Sequence, residues 1–103
     1  MIRHCVFVKF RTGVSTDERA EIYAGLAALV GQIEGLISAD FGANVSPEGL
    51  AQGFNDGFIM DLADEAARDR YLVDPAHKAA GAKLVAALEG GRDGLIVFDL
   101  KIG

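Results

Sequence analysis

Apolar residues fall into two rhythms along this chain. In "IRHCVFVKF" (2–10), β-branched and aromatic side chains crowd a stretch too short for an ordinary helix, which predicts a strand. In "STDERAEIYAGLAALVGQI", Ile22, Leu26, Leu29 and Ile33 recur at helical spacing. That spacing predicts an amphipathic helix over 15–33, ended near Gly35, with Ser15 and Glu18 placed as a capping box. "LISADFGANV" (36–45) predicts a second strand with Ile37, Ala39, Phe41, Ala43 and Val45 on one face. After the turn-rich "SPEGLAQG", "GFIMDL" (57–62) predicts a third, although Asn55-Asp56-Gly57 is also a hairpin signal and leaves its start open. "DEAARDRYLV" (64–73) predicts a short helix. Asp74-Pro75 stops it, because proline disfavours the α conformation in the residue before it. The same pair starts another helix, with Asp74 as N-cap and Pro75 in the first position, running to about Leu88 before Gly90-Gly91. "GLIVFDLKI" (94–102) predicts the last strand.

The order β-α-β-β-α-β, with its second helix broken in two, predicts an α+β, ferredoxin-like protomer occupying residues 1–103 as one domain. A four-stranded antiparallel sheet would carry its helices on one face. Strand residues should then alternate between apolar and polar, and these do not. His4, Val6, Val8 and Phe10 point one way and Cys5 and Phe7 the other. Phe58, Met60 and Leu62 oppose Ile59, and Ile96, Phe98 and Leu100 oppose Leu95 and Val97. Two helices cover one face only, so the apolar second face predicts a homodimer in which another copy of the sheet covers it. Lys9, Asp61 and Asp99 are expected on that second face, pairing with one another, because lone buried charges are unfavourable.

Composition supports self-association. Half of the 103 residues are hydrophobic and the mean hydropathy is +0.24, a large apolar content for a domain with so much surface per volume. A net charge of −5 with scattered basic residues argues against nucleic acid, which needs clustered Lys and Arg, and against anionic membrane surfaces. No apolar stretch approaches the ~20 residues that span a bilayer. Arg3, His4 and Lys9 interrupt the first apolar segment, unlike a secretory signal. Cys5, the single cysteine, has no partner for an internal disulfide, so a reducing, cytoplasmic setting is expected.

The chain resembles a known family: the stress-responsive A/B barrel domain, Dabb, a branch of the dimeric α+β barrel proteins. The resemblance spans nearly the whole chain and rests on "RHCVFVKF", on "GFIMDL" followed by a short helix, on "YLVDPAH", and on "GLIVFDLKI". It implies a ferredoxin-like protomer and a homodimer whose two sheets form a barrel. A plant branch of the family contains a polyketide cyclase that closes a poly-β-ketone by aldol chemistry without cofactor or metal. Its tyrosine and histidine look like Tyr71 and His77. Its pocket positions match His4, Val6 and Val8 on the first strand and Ile22, Tyr23 and Leu26 on the first helix, with Phe58 and Met60 of the third strand completing the expected wall. Arg68 stands where that pocket has an apolar side chain, and Ala80 where it has an aromatic one. Such a wall is more polar and differently shaped.

His77 would be the third residue of its helix, where the positive end of the helix dipole opposes a protonated imidazole. A neutral imidazole there can take a proton from a carbon between two carbonyls, and Tyr71 can hold the enolate oxygen by a hydrogen bond. The plain alternative has His77 bonding Asp74 across the helix break while Tyr71 packs as core. His4 is either a hydrogen-bonded core histidine or a group orienting a ligand or His77. Tyr23 is expected as core with a polar tip near the pocket mouth. Arg68 is expected to pair with Asp64 or Glu65, or to anchor a ligand carboxylate. Cys5 reads as a buried, inert thiol. Two histidines and one cysteine without close ligand spacing speak against structural zinc, and no glycine-rich loop leads into a helix to cradle phosphate. The expected function is a cofactor-free pocket for a small apolar or aromatic, keto-bearing molecule, with His77 as base and Tyr71 as donor. A non-catalytic binding or stress-response dimer and a cofactor-independent oxygenase are the alternatives.

Overall fold

The computed structural model describes residues 1–103, and its strands and helices follow the predicted order. They are β1 (Ile2–Val8), α1 (Thr16–Ala27), β2 (Leu36–Ala43), β3 (Asp56–Leu62), α2 (Glu65–Val73), α3 (Pro75–Ala86) and β4 (Leu95–Lys101). The sheet is antiparallel in the order β2-β3-β1-β4, so β1 and β3 are central and β4 is an edge. This is the ferredoxin-like βαββαβ arrangement, with helices on one face. None of its helices is long and apolar enough to cross a membrane.

Local chemistry sets the helix boundaries. The Ser15 side chain accepts from the Glu18 amide at 3.1 Å, one half of the expected capping box. α1 ends at Ala27, six residues before the predicted limit, and Leu29 and Ile33 reach the core from tight turns instead. Past Ala27 the helix tightens into i→i+3 bonds, from the Leu29 amide to the Leu26 carbonyl and from the Val30 amide to the Ala27 carbonyl, and Gly31, at φ +90°, ends that run. At the α2–α3 junction the Asp74 carboxylate accepts from the Ala76 amide at 2.8 Å and Pro75 opens α3, as the sequence predicts.

Ile2, Val6, Val8, Phe58, Met60 and Leu62 of the central strands form the core with Leu26, Leu29, Tyr71, Leu84 and Leu88 from the helical layer. Burying each such aliphatic side chain is worth about 1.5–3 kcal/mol, so this layer holds the fold together. β2 departs from simple alternation. A bulge at Ile37 lets Leu36 pair with Leu62 while Ser38 pairs with Asp61. Leu36, Ala39 and Phe41 therefore turn toward the helices, whereas Ile37 is 56% exposed and Val45 lies beyond the strand in solvent. The expected five-residue stripe is thus split.

The expected pairing of Lys9, Asp61 and Asp99 is also corrected. Asp61 is held by Arg3 within the chain, at 2.9 and 3.2 Å, and the Lys9 ammonium lies 4.6 Å from the centre of the Phe54 ring. Asp99 is on the other face altogether. The β1–β4 register sets it opposite His4, which sends its side chain to the helical side. Phe98, Ile96 and Leu100 alternate with it and stay exposed on the open face.

Candidate functional site

His4 comes from the middle of β1, Tyr71 from the last turn of α2 and His77 from the first turn of α3. The fold brings all three together. The Tyr71 and His77 rings lie 3.9 Å apart, tilted by 35°, and the His4 ring meets Tyr71 edge-on at 5.5 Å. Tyr71 is only 1% exposed and His4 only 5%. The alternative contact between His77 and Asp74 does not form; the Asp74 carboxylate caps α3 through the Ala76 amide. His77 Nδ1 is instead buried without a hydrogen-bond partner. Gly81 lies one turn further along α3 beside the ring, and a Cβ there would stand in ordinary contact at 4.0 Å from His77 Nε2.

The electrostatics follow from this placement. Burial, followed by the proximity of His4, holds the His77 imidazole below its ordinary value. The nearby Leu72 and Tyr71 carbonyls and Asp74 pull it up, without making a hydrogen bond of good geometry to Nδ1; the ring is neutral at pH 7. Burial pushes the Tyr71 phenol up, which keeps it a hydroxyl donor rather than a phenolate. A buried, unpartnered imidazole nitrogen is unfavourable as structure and useful as chemistry, since it can accept a proton or a hydrogen bond from whatever reaches it.

Asp99 belongs to this cluster, which the sequence reading missed. His4 Nδ1 lies 2.7 Å from Asp99 Oδ1, and Arg68 Nη1 lies 2.9 Å from Asp99 Oδ2. Burial alone would raise the Asp99 carboxyl, but the hydrogen bonds from His4 and Arg68 carry it below the usual carboxylate range. The signal for Asp99 lay in strand pairing: aligning two seven-residue antiparallel strands end to end sets residue 99 opposite residue 4. Arg68 departs from both of its expected pairings. Its guanidinium bridges Asp69 and Asp99, each at 2.9 Å, while Glu65 is taken by Lys101 at 3.1 Å.

The remaining expected pocket residues lie elsewhere. Val6, Val8, Leu26 and Met60 are closed in the core. Tyr23 stacks with Phe41, Phe58 and Phe10 at 4.6, 6.1 and 5.9 Å, not with Tyr71 or His77. Its hydroxyl is buried without a partner, and burial, reinforced by Asp56, pushes its pKa to about 12. Ile22 lines a groove of ≈ 580 Å³ between α1 and α3. Phe58 packs in the core beneath Tyr23 and Phe41, and its strand borders a second cavity, ≈ 490 Å³, on the open sheet face under the 44–55 connection. No group of three or more His, Cys, Asp or Glu side chains is arranged to hold a metal ion. Burial also pushes the Cys5 thiol up, away from the reactive thiolate.

Comparison with known proteins agrees with the architecture. The chain is 30% identical over 100 residues to the stress-response A/B barrel domain-containing protein HS1 of Arabidopsis thaliana, covering 97% of this chain and 88% of that protein. A dimeric ferredoxin-like protein of unknown function from Jannaschia sp. CCS1 superimposes with a TM-score of 0.90 at 33% identity, covering 98% of each chain. Hydroxynitrile lyase from Passiflora edulis superimposes with a TM-score of 0.87 over 99% of this chain and 93% of its own; at 19% identity this shows a common fold alone. Residues 2–102 match the stress responsive A/B barrel domain, Dabb, and the chain belongs to that family.

Proposed function

We propose that this protein binds a small, uncharged, keto-bearing molecule with an apolar or aromatic body, and that His77, Tyr71 and His4 perform cofactor-free acid–base chemistry on it. The observation that carries this reading is His77 Nδ1, neutral and unpartnered, beside the Tyr71 ring. In that scheme His77 takes a proton from the carbon next to the carbonyl. Tyr71 donates to the oxygen on which charge develops, and His4 supports both. Arg68 favours an uncharged ligand, since Asp69 and Asp99 already hold its guanidinium and leave no free cation for a carboxylate.

The working unit in this proposal is a homodimer that joins the open sheet faces. Ile96, Phe98 and Leu100 supply exposed apolar surface there, and the Jannaschia relative is described as dimeric. A second reading, a dimer that holds a ligand without transforming it, draws on a different observation: none of the three principal cavities is lined by His4, Tyr71 or His77.

Side-chain NMR of the two histidines, with a panel of aromatic and β-diketone ligands, tests the proposal. His77 is expected to stay neutral well below pH 6.5 and to shift on ligand addition. Tyr71→Phe and His77→Ala should abolish turnover while folding survives. A His77 that titrates like a free peptide and ignores every ligand would defeat the acid–base reading and leave the non-catalytic dimer. Ligand-induced shifts without turnover would select the binder.

A further inference from the structure

We propose that Arg68 is a positioning residue that sets the tautomer of His4 through Asp99, so that the Nε2 lone pair of His4 is presented to the site. The inference rests on the acid–base reading above in one respect only, that His4 faces the reacting molecule.

The argument starts from Asp99. An ionised carboxylate has acceptors and no donor, so the 2.7 Å contact with His4 requires the ring to donate from Nδ1. Neutral His4 is then the Nδ1–H tautomer, and its Nε2 is an acceptor. Nothing else in the chain bonds His4, whose ring is nearly closed to solvent. The tautomer is therefore only as well defined as the Asp99 side chain, and that side chain belongs to an edge strand and is partly open to water. Arg68 supplies the missing constraint. Its Nη1 takes Asp99 Oδ2, leaving Oδ1 for His4, and its Nε is fixed by Asp69 from the same helix. The order Asp69–Arg68–Asp99–His4 thus alternates acceptor, donor, acceptor, donor, and the final donor is His4 Nδ1–H.

This chain of bonds makes a prediction that simple packing does not. In Asp99→Asn the side chain keeps one acceptor oxygen and gains an NH2 group. If Arg68 governs residue 99, it claims the oxygen and turns the NH2 toward His4, whose Nδ1 must then accept. The tautomer inverts to Nε2–H. In Arg68→Gln the carboxylate is released, and His4 should become a mixture of tautomers.

Two-bond proton–nitrogen correlation spectra of the uniformly 15N-labelled full chain, followed over a pH series until the His4 signals no longer change on the alkaline side, read the tautomer directly and need no substrate. The expected results are an almost pure Nδ1–H form in the unaltered protein, mostly Nε2–H in Asp99→Asn, and a mixture in Arg68→Gln. An Nε2–H form in the unaltered protein would overturn the inference with no variant required. So would Asp99→Asn that remains Nδ1–H, or a folded Arg68→Gln that keeps the unaltered pattern. Should Arg68→Gln not fold, the Asp99→Asn spectrum alone decides. The ligand panel separates the two ideas: an inverted tautomer with no ligand response leaves the relay standing and removes the acid–base reading. A ligand response with an unchanged tautomer does the reverse.

Discussion

The two faces of the sheet both carry large apolar side chains and meet opposite fates. Phe58, Met60 and Leu62 are sealed under the helices, while Ile59 on the other face stays partly open and Phe98, on that face of β4, is 45% exposed. Hydrophobicity does not separate them. What separates them is supply: three helices in one layer cover one side of a sheet, and the other side stays open. The faces differ in polar design as well. On the helical side Asp69, Arg68, Asp99 and His4 form one bonded series, and Arg19 and Asp56 form a separate pair at 3.5 Å. On the open side Arg3 and Asp61 form a single pair near apolar surface. The covered face is finished within one chain, and the open face is left with exposed Ile96, Phe98 and Leu100, the surface that the proposed dimer would bury.

The largest test of that contrast is a pair of alanine substitutions on adjacent residues. Met60→Ala, on the covered face, should destabilise by about 2–5 kcal/mol through lost burial and a cavity. Its effect should not depend on protein concentration. Ile59→Ala should have a smaller effect that grows with protein concentration, and urea melts at two concentrations compare them. Phe98→Asp sharpens the difference further. It should leave a folded monomer in analytical ultracentrifugation, whereas a persistent dimer would show that the open face is not the joint.

A subtler difference is pH dependence. The His77 value is lowered on folding, so between its folded value and about 6.5 the unfolded chain takes up a proton that the folded one does not. Stability from this source is present at neutral pH and is lost as pH falls through that window. Relative to His77→Gln, the unaltered protein should lose stability by up to about 1.4 kcal/mol per pH unit on the acid side of neutrality. Parallel curves for the two proteins would contradict the burial argument. The smallest effect belongs to Ile37→Ser, expected within about 0.5 kcal/mol of neutral because the side chain faces solvent.

Much of this was legible in the chain. The Asp74-Pro75 break, the capping at Ser15 and the alternation of β1 depend on neighbours in sequence, and those rules operate locally. Tyr71 and His77 are joined by the same local logic, since one helix ends where the next begins. The bulge at Ile37, the face occupied by Asp99 and the partners of Arg68 were not legible. Each depends on register between strands or between helix and sheet. With apolar residues on both faces, sequence alternation cannot fix which face a strand presents. Asp99 shows the consequence: read alone it interrupts an apolar strand, and only its pairing with His4 makes it part of the site.

The bulge at Ile37 also bears on how chain length can vary. Removing that one residue would leave Leu36, Ser38 and Ala39 able to realign as an ordinary strand, since Ala39 and everything after it already pair regularly. A single-residue gap there would shift only Leu36 and the turn before it. A gap anywhere from Ala39 to Ala43 would invert the strand segment on one side of it. Among natural variants and engineered libraries, insertions and deletions in β2 should therefore collect at position 37, which acts as the strand's expansion joint.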